Sequence, residues 1–392
     1  MIRWLHISDL HIKNRADWNN YRKELFKKCS EIGKVNLVIV TGDFHDFSDG
    51  ADFEMAKNFL RELVKKLELD ITNDLFLIPG NHDGVTSIVD KKLYVSAAHN
   101  NPLDLDKAWI DELMRAFQDY ETFVRELIPD YPVEHPAEVH NRVWRNKINF
   151  IHCNTALAAD GCTKTNQIMD VDTLALLNFS ENCPNIILAH NSFDDLNKDI
   201  QKSIKDVMRN NSIHAYLCGD RHIESVKQIS YEDKQNRQIP CIGCYKSAPD
   251  STDDYSNFGI IIGEWQEENM DLRGWSWKRG EGFKVDGNVT EQKIYMGNVE
   301  QTEIVETISK NDSVDMKLET DYNSDIDERY KRRKEFITTY HRLSPYQLSQ
   351  FNRKYSDKYG KLEIETSEKE LYEYVRMADN NLENMLEYIK TL

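Results

Sequence analysis

The nine residues from Leu75 to Asp83, LFLIPGNHD, are an apolar run that ends at a proline, a glycine and three polar side chains. An apolar run bounded by Pro and Gly is typical of a buried strand that delivers a tight loop to the edge of a sheet. Asn81, His82 and Asp83 would then stand side by side at that edge. Asn and Asp are also ordinary turn residues, so this stretch alone is equally consistent with a capped turn.

Four other predicted strands end in the same way. Helical spacing of apolar residues, at about 18–32 and 53–69, separates the first three strands of the chain. This strand and helix order predicts an α/β fold in which polar residues at the carboxyl ends of strands gather at one edge. The other four strands and their terminal polar residues are RWLHIS with Asp9 and His11, NLVIVTGD with Asp43, NIILAH with His190, and HAYLCGDRH with Asp220 and His222.

The rest of the chain indicates further layers and a second domain. After residue 146 successive strands follow one another with little helix between them, which predicts a two-layer mixed β-sandwich flanked by helices. We expect this large domain to span residues 1–286, with a helical cap insertion at about 86–146 that contains a helix from Asp106 to Leu127. The polar stretch 287–325 is predicted to be a linker or edge strands, and 326–392 a small helical domain.

Composition restricts the compartment and the partners. The 392 residues are 40% hydrophobic, with no apolar run long enough to cross a bilayer and no secretory signal pattern at MIRWLHISDL, so we expect a cytoplasmic protein without membrane contact. Seven scattered cysteines favour reduced thiols over disulfides. Because the net charge is −17, nucleic acid would need a local basic patch. RYKRRK at 329–334 is the candidate, although such runs are more often solvated helix faces.

The polar residues at the strand ends share one chemistry. Carboxylate, imidazole and amide oxygen are ligands of divalent first-row metals, and no thiolate is among them. A lone histidine at a strand end is more often a surface or structural residue. Five strand ends in one chain, in order, are hard to obtain by chance. The candidate metal ligands are Asp9, His11, Asp43, Asn81, His190, Asp220 and His222.

The series Asp-x-His, Gly-Asp, Gly-Asn-His-Asp, His and Gly-x-x-His resembles the calcineurin-like metallophosphoesterase superfamily over about residues 1–285. That superfamily includes the Mre11 and SbcD nucleases, cyclic-nucleotide phosphodiesterases and serine/threonine phosphatases. The resemblance implies two mixed sheets flanked by helices, with a two-metal centre at the strand ends. By position it implies that Asp9, His11 and His222 hold the first metal, that Asp43 bridges, and that Asn81 and His190 hold the second metal with residue 220.

Two cations about 3.5 to 4 Å apart lower the pKa of a bridging water, so that hydroxide is available near neutral pH. A bridging carboxylate holds them at that spacing, a role for Asp43. His82, adjacent to the ligand Asn81, is predicted to protonate or stabilise the leaving oxygen, and Asp83 to orient His82. The expected cofactors are two divalent ions, Mn²⁺ first, with Mg²⁺, Fe or Zn²⁺ as alternatives.

Position 220 departs from the superfamily pattern, because most members have histidine there and this chain reads Gly-Asp-Arg-His at 219–222. In one interpretation Asp220 still binds the second metal and favours a harder ion such as Mn²⁺ or Mg²⁺. In the other, the second site is weakened and activity is reduced or lost. We expect retained activity, since aspartate is itself a ligand. Arg221 is predicted to contact a substrate phosphate, with solvent exposure or a surface ion pair as the alternatives.

Two classes of function follow. The first is a metal-dependent phosphodiesterase acting on a nucleotide or nucleic acid, with phosphomonoester or phosphoprotein hydrolysis open at the same centre. The second is a partly degenerate domain whose carboxyl-terminal helices recruit a protein partner or form a homodimer. Neither G-x-x-x-x-G-K-[ST], nor G-x-G-x-x-G after a strand, nor G-x-S-x-G occurs in the sequence, so nucleotide-loop and serine-hydrolase chemistries fit poorly.

Overall fold

The structure is a computed structural model and forms two compact units, Met1–Thr302 and Glu303–Leu392. The predicted linker at 287–325, apart from a strand at 292–295, and the basic run at 329–334 lie outside the described residues. The described residues are 1–12, 16–45, 53–84, 98, 102–103, 107–159, 165–222, 225–231, 238–247, 258–266, 269–278, 281–285, 292–295, 336, 339–340, 343–359, 361–362, 374, 378 and 381–391.

The first sheet has seven strands. Strands β1 (Ile2–Ile7), β2 (Leu37–Thr41) and β3 (Leu75–Ile78) lie parallel and adjacent, in the register Trp4 to Leu37 and Val38 to Leu75. The remaining strands are antiparallel to their neighbours, and the order is β12-β11-β10-β1-β2-β3, with β13 also paired to β11. These strands are β10 (Phe258–Gln266), β11 (Asn269–Lys278), β12 (Gly282–Val285) and β13 (Gln292–Tyr295).

The second sheet has six strands in the order β4-β5-β6-β7-β9-β8. Its four central strands are parallel, and β4 and β8 close the two edges in antiparallel pairing. The strands are β4 (His140–Trp144), β5 (Ile148–Cys153), β6 (Asn185–Ala189), β7 (Ile213–Cys218), β8 (Ser225–Ser230) and β9 (Gln238–Gly243).

The two sheets pack face to face, and helices cover their outer faces. Alternate side chains of β3 show the arrangement: Phe76 and Ile78 join the core between the sheets, while Leu75 and Leu77 join the core under the helices. Burial on both faces explains why these strands read as continuous apolar runs. The predicted two-layer mixed sandwich flanked by helices is therefore confirmed.

The first two helices of the first unit agree with the apolar spacing in the sequence and run Ala16–Glu31 and Glu54–Lys66. The others are Ile71–Asp74, Lys107–Met114, Gln118–Leu127, Val171–Leu176 and Lys198–Asn210, with 3-10 turns at Asn81–Asp83, Arg115–Phe117 and Phe193–Asp195. The helix Lys198–Asn210 between β6 and β7 differs from the sequence expectation of little helix after residue 146. In the described part of the chain no helix is long and apolar enough to cross a membrane.

The predicted insertion at 86–146 is only partly separate from the core. Its predicted helix is present as two helices joined by a 3-10 turn, and the rings of Tyr120 and Phe123 lie 5.9 and 5.1 Å from that of Phe44. Residues 140–144 form an edge strand. The cap therefore stays a prediction for the residues before 107, of which the structure describes only 98, 102 and 103.

The second unit contains the helices Pro345–Tyr359 and Leu382–Thr391, where the sequence predicted a helical domain. It has its own apolar core, which includes Phe336, Phe351 and Leu386. The Asn352 side chain donates to the Leu362 carbonyl at 2.6 Å and accepts from its amide at 3.0 Å. Six cysteines are described across the protein, and none of these six is in a disulfide.

Candidate metal centre

The two sheets bring their polar strand ends together at one edge of the sandwich. Parallel strands present their carboxyl ends at the same edge, and the core between the sheets holds the two edges close. The first sheet supplies Asp9 and His11 after β1, Asp43 after β2 and Asn81 after β3, and the second supplies His190 after β6 and Asp220 and His222 after β7.

Asp9, His11 and His222 form the first half-site. Their ligand atoms all lie within 4.8 Å of one another. His222 Nε2 is 3.2 Å from Asp9 Oδ1, and His11 Nε2 is 3.9 Å from the same oxygen. The Asp9 side chain is fully buried, whereas that of His222 is 39% exposed. This half-site therefore opens to solvent on the side of His222.

His190 is at the centre of the second half-site. Its Nε2 lies 2.8 Å from Asn81 Oδ1, 3.4 Å from Asp43 Oδ2 and 3.6 Å from Asp220 Oδ1. Its Nδ1 lies 2.7 Å from the Thr41 carbonyl, which accepts its proton. This contact fixes the ring so that Nε2 points at the three oxygens.

Asp43 lies between the half-sites. Its Oδ2 is 3.5 Å from His11 Nε2 on one side and 3.4 Å from His190 Nε2 on the other. Its Oδ1 accepts the His82 amide at 2.8 Å, which leaves Oδ2 directed at both imidazoles. This is the geometry that a bridging carboxylate requires.

Several buried polar atoms of the cluster fit a divalent cation. Both ring nitrogens of His11 are buried and make no hydrogen bond, and Asp9 Oδ1 is buried with His222 Nε2 3.2 Å away. Buried polar atoms without partners are rare, because each costs the desolvation of that group. A metal ion would satisfy Asp9 Oδ1 and one ring nitrogen of His11, and carboxylate and imidazole are donors that such ions accept.

The electrostatics of the cluster also favour a cation. Burial by itself lowers the pKa of His190, but Asp43, Asp220 and Asp9 raise it well above its ordinary value. The raised pKa means that the carboxylates favour a proton on His190 Nε2, and a metal ion bound at Nε2 would take the place of that proton. Burial lowers the pKa of His11 to about 4, so this ring is neutral and able to act as a ligand near pH 7. Burial would raise the pKa of Asp43, yet the neighbouring imidazoles, His190 first, lower it.

Five of the candidate ligands have left-handed backbone. They are among nine described non-glycine residues with positive φ. Such conformations cost about 1–3 kcal/mol each and concentrate at functional sites. Aspartate tolerates this region better than most residues, which helps explain its use at strand ends. The five, with φ in parentheses, are Asp9 (52°), His11 (38°), Asp43 (56°), Asp220 (61°) and His222 (58°).

Two glycines of the motifs are required by close approach. A Cβ atom at Gly80 would overlap the Asp43 carboxylate, and one at Gly219 would overlap Ser8 Oγ. The loop after β3 therefore packs directly against the loop after β2 at Gly80, and the loop after β7 packs against the loop after β1 at Gly219. The motif glycines therefore set how closely the ligands can gather.

His82 lies beside the cluster at its solvent side. Its side chain is 31% exposed, its Nε2 is 4.0 Å from Asp43 Oδ2, and its ring meets that of His11 edge-on at 4.7 Å. A partly exposed imidazole next to the bridging carboxylate can reach a substrate held there. Its role as proton donor stays a prediction.

The contacts of Asp83 do not support the predicted orienting role toward His82. Its carboxylate is buried and accepts three backbone amides at 2.8 Å, from Gly80, Asp43 and Phe44. Burial and the Asp43 carboxylate raise its pKa, the amides of Gly80 and Phe44 oppose that shift, and bound cations would oppose it further. Asp83 therefore ties the loop after β3 to the loop after β2.

Asp220 has a partner that the sequence did not reveal. Asn191 Nδ2 donates to Asp220 Oδ2 at 3.0 Å, and Asn191 Oδ1 accepts from the Thr155 hydroxyl at 2.9 Å. The other carboxylate oxygen, Oδ1, is the one that faces His190. Asn191 follows His190 directly in the chain, but nothing in its sequence context distinguishes it from an ordinary strand-end residue.

Arg221 is engaged by protein rather than directed freely at the cluster. Its Nε donates to Asp195 Oδ2 at 2.6 Å and its Nη2 to Asp195 Oδ1 at 2.5 Å. The Asp195 side chain is 4% exposed and that of Arg221 41%. The ion pair foreseen as the alternative is therefore present, and the predicted contact with a substrate phosphate is not what this geometry supports.

Two mixed sheets with a carboxylate and imidazole cluster at their strand ends define a metallophosphoesterase type of fold and site. The profile of the calcineurin-like phosphoesterases matches residues 2–224, more than half of the chain, and the protein belongs to that family. The resemblance seen in the motifs is thereby confirmed. A search of curated protein sequences found no match.

Solved structures similar to the chain include three proteins of low identity. Vps29 of Chaetomium thermophilum is 10% identical with a TM-score of 0.33, and the match covers 76% of this chain and 100% of that one. GAP50 of Plasmodium is 12% identical with a TM-score of 0.36, covering 76% and 90%. NAD nucleotidase (NadN) of Haemophilus influenzae is 11% identical with a TM-score of 0.34, covering 75% and 50%.

Proposed function

We propose that the protein is a hydrolase that cleaves a phosphodiester of a nucleotide or nucleic acid with two divalent metal ions, Mn²⁺ in the first instance. The observation that carries this proposal is the position of Asp43 Oδ2, 3.5 Å from His11 Nε2 and 3.4 Å from His190 Nε2. One carboxylate oxygen facing an imidazole of each half-site is what a shared ligand needs. The cytoplasmic location predicted from the sequence stays a prediction.

In this proposal the ligands divide as the family motifs imply. Asp9, His11 and His222 hold one cation, Asn81, His190 and Asp220 the other, and Asp43 both. Two such cations, when bound, make hydroxide available near neutral pH and neutralise charge on the phosphoryl oxygens. Asp220 retains a ligand oxygen where most members have histidine, and its contact with Asn191 keeps that oxygen toward His190.

His82 is the proposed acid for the leaving oxygen. A diester releases an alkoxide, which needs a proton or a hydrogen bond as the bond to phosphorus breaks. The partial exposure of the His82 ring and its 4.0 Å separation from Asp43 Oδ2 support this role. Its backbone amide is held by Asp43 Oδ1 at 2.8 Å, so the ring cannot drift far from the cluster.

The test is hydrolysis of bis-(p-nitrophenyl) phosphate by the full-length protein, with Mn²⁺ content measured on the same samples. We expect two equivalents of Mn²⁺ and metal-dependent turnover, abolished by Asp43→Ala. On a DNA diester, whose leaving group is an alkoxide, His82→Ala should lower kcat about 10²–10⁴-fold with metal content unchanged, whereas p-nitrophenolate leaves readily without a proton. A matched control is His135→Ala, since His135 lies 3.4 Å from Glu121 and outside the cluster. No turnover with two metals bound would refute the proposal.

A substrate panel then assigns the ester. Diester hydrolysis exceeding that of p-nitrophenyl phosphate supports a phosphodiesterase, and the reverse supports a phosphomonoesterase or protein phosphatase. Cyclic nucleotides, single- and double-stranded DNA, RNA and phosphopeptides follow. The net charge of −17 favours small substrates, whereas the basic run at 329–334 favours nucleic acid.

The separate helical unit supports a second candidate role. It has a core of its own, and no candidate metal ligand lies among the residues of this unit that the structure describes. We propose that it recruits a protein partner or a second copy of the chain, in an active enzyme or in a degenerate one. A folded protein that binds no metal would favour the degenerate module over the enzyme.

A further inference from the structure

The loop at residues 219–222 supplies ligands to both half-sites. Asp220 faces the second half-site and His222 the first, and both have left-handed φ, 61° and 58°. Left-handed backbone is uncommon for any residue that carries a side chain, although Asp and His adopt it more readily than most. The loop must therefore be held by contacts with its surroundings.

Arg221 stands between the two ligands, and its guanidinium forms a bidentate pair with Asp195 at 2.6 and 2.5 Å. Asp195 is well anchored for this purpose. Its side chain is 4% exposed, its amide donates to the Ser192 carbonyl at 2.9 Å, and its carbonyl accepts the Gln167 amide at 2.9 Å. Because the planar guanidinium makes two hydrogen bonds to a fixed carboxylate, both the position and the orientation of the Arg221 side chain are defined, whereas a single hydrogen bond would leave its orientation free.

Asp195 and His190 belong to one short segment, the residues 190–195 that follow β6. The same segment makes two more contacts with the loop: the Gly219 amide donates to the His190 carbonyl at 2.8 Å, and Asn191 Nδ2 donates to Asp220. Three contacts thus join a segment that carries one ligand to a loop that carries two. The Asn191 contact supports Asp220 directly, and of the three contacts the Arg221 pair lies nearest to His222 in the chain.

We propose that the Asp195–Arg221 pair is a positioning clamp that sets the metal affinity of the centre, chiefly by holding His222 in the first half-site. This proposal rests on the proposed metal-dependent function. In this proposal Arg221 positions the loop that carries Asp220 and His222, and it does not contact the substrate. Outer contacts of this kind are worth about 10–100-fold in metal affinity.

The variant Arg221→Gln tests the clamp, because charge and position predict opposite results. Removing a positive charge near a cation site should by Coulomb's law strengthen Mn²⁺ binding. Loss of the clamp should instead weaken Mn²⁺ binding, by about 10–100-fold at the first half-site, which contains His222. Mn²⁺ titration of the full-length protein by calorimetry gives both affinities, with His222→Ala and Asp220→Ala identifying the two sites. We expect Arg221→Gln to resemble His222→Ala.

Further variants separate the clamp from general damage. Lys227→Ala is the matched control, since Lys227 pairs at 2.6 Å with the neighbouring Asp194 on an exposed surface and should leave both affinities unchanged. Asp195→Asn should weaken Mn²⁺ binding. The double variant Arg221→Gln/Asp195→Asn should lose no more Mn²⁺ affinity than the more affected of the two single variants. Should Arg221→Gln fail to fold, Arg221→Lys, which keeps the charge but not the planar guanidinium, takes its place.

Three results would overturn the proposal. The first is a folded Arg221→Gln protein with wild-type or tighter affinity at both sites. The second is unchanged metal affinity with a raised KM, the result expected if Arg221 binds substrate phosphate. The third is a wild-type protein that binds no Mn²⁺, which removes the proposed function as well. A wild-type protein that binds two Mn²⁺ but hydrolyses no ester would refute the function and leave the clamp testable.

Discussion

Replacing Asp83 tests whether this residue ties the ligand loops together or orients His82. Its Oδ2 accepts the amides of Gly80 and Asp43, and its Oδ1 accepts that of Phe44, each at 2.8 Å. Asparagine keeps one oxygen, so Asp83→Asn retains two of the bonds at best and turns an NH₂ group toward the third amide. One buried donor without an acceptor costs about 1–3 kcal/mol.

Asp83→Ala leaves all three amides without an acceptor. Simple addition gives about 3–9 kcal/mol, which approaches the whole stability of a typical domain. We therefore expect the order wild type, Asp83→Asn, Asp83→Ala in free energy of unfolding, with the alanine variant unfolded or nearly so. Asp119→Asn, at an exposed helix position, is the matched control and should change stability by less than about 0.5 kcal/mol.

Urea unfolding followed by tryptophan fluorescence measures this loss. All seven tryptophans lie between residues 1 and 302, so the signal reports the unit that contains the centre. Mn²⁺ affinity of Asp83→Asn should fall about 10–100-fold, because the residue anchors the ligand loops. Unchanged stability and metal affinity combined with a large fall in kcat would refute this reasoning. That result would return Asp83 to the orienting role toward His82.

Two further predictions concern Asp220 and acid stability. Asp220→Ala should reduce bound Mn²⁺ from two equivalents to one, and Asp220→His should restore the second; retention of both in the alanine variant would remove Asp220 from the ligand set. Burial lowers the pKa of His140 to about 4, below the value of about 6.5 in an unfolded chain, so this group stabilises the fold above pH 6.5 and loses that contribution as the pH falls toward 4. The loss amounts to about 3 kcal/mol. Between pH 7 and 4 the free energy of unfolding of His140→Gln, measured with urea, should depend less steeply on pH than that of the wild type, by the binding of about one proton. The same slope in both proteins would contradict this prediction.

Much of the candidate centre could be predicted from sequence because its ligands follow continuous apolar runs. Strands buried on both faces are easy to recognise, and parallel strands must bring their carboxyl ends to one edge. Asp9, His11 and Asp43 were found in this way, and the structure brings them together with Asn81 and His190.

The roles of Asp83 and Arg221 could not be read in the same way. Each was judged by its neighbours in the chain, yet Asp83 accepts two amides from residues about 40 positions away, and Arg221 pairs with a carboxylate 26 positions away. A charged residue next to a ligand looks the same in sequence whether it faces substrate or protein. Only the packing of the loops decides which way it turns.

The sequence by itself determined the family, the two-sheet fold and the set of candidate ligands, because burial periodicity and motif spacing are local properties. The tertiary structure alone decided that Asn191 and Asp195 support the loop that carries Asp220 and His222, and that Asp83 ties the loop after β3 to the loop after β2. These contacts join segments from different strands and both sheets. Their geometry depends on left-handed backbone and close loop approach, which residue order does not specify.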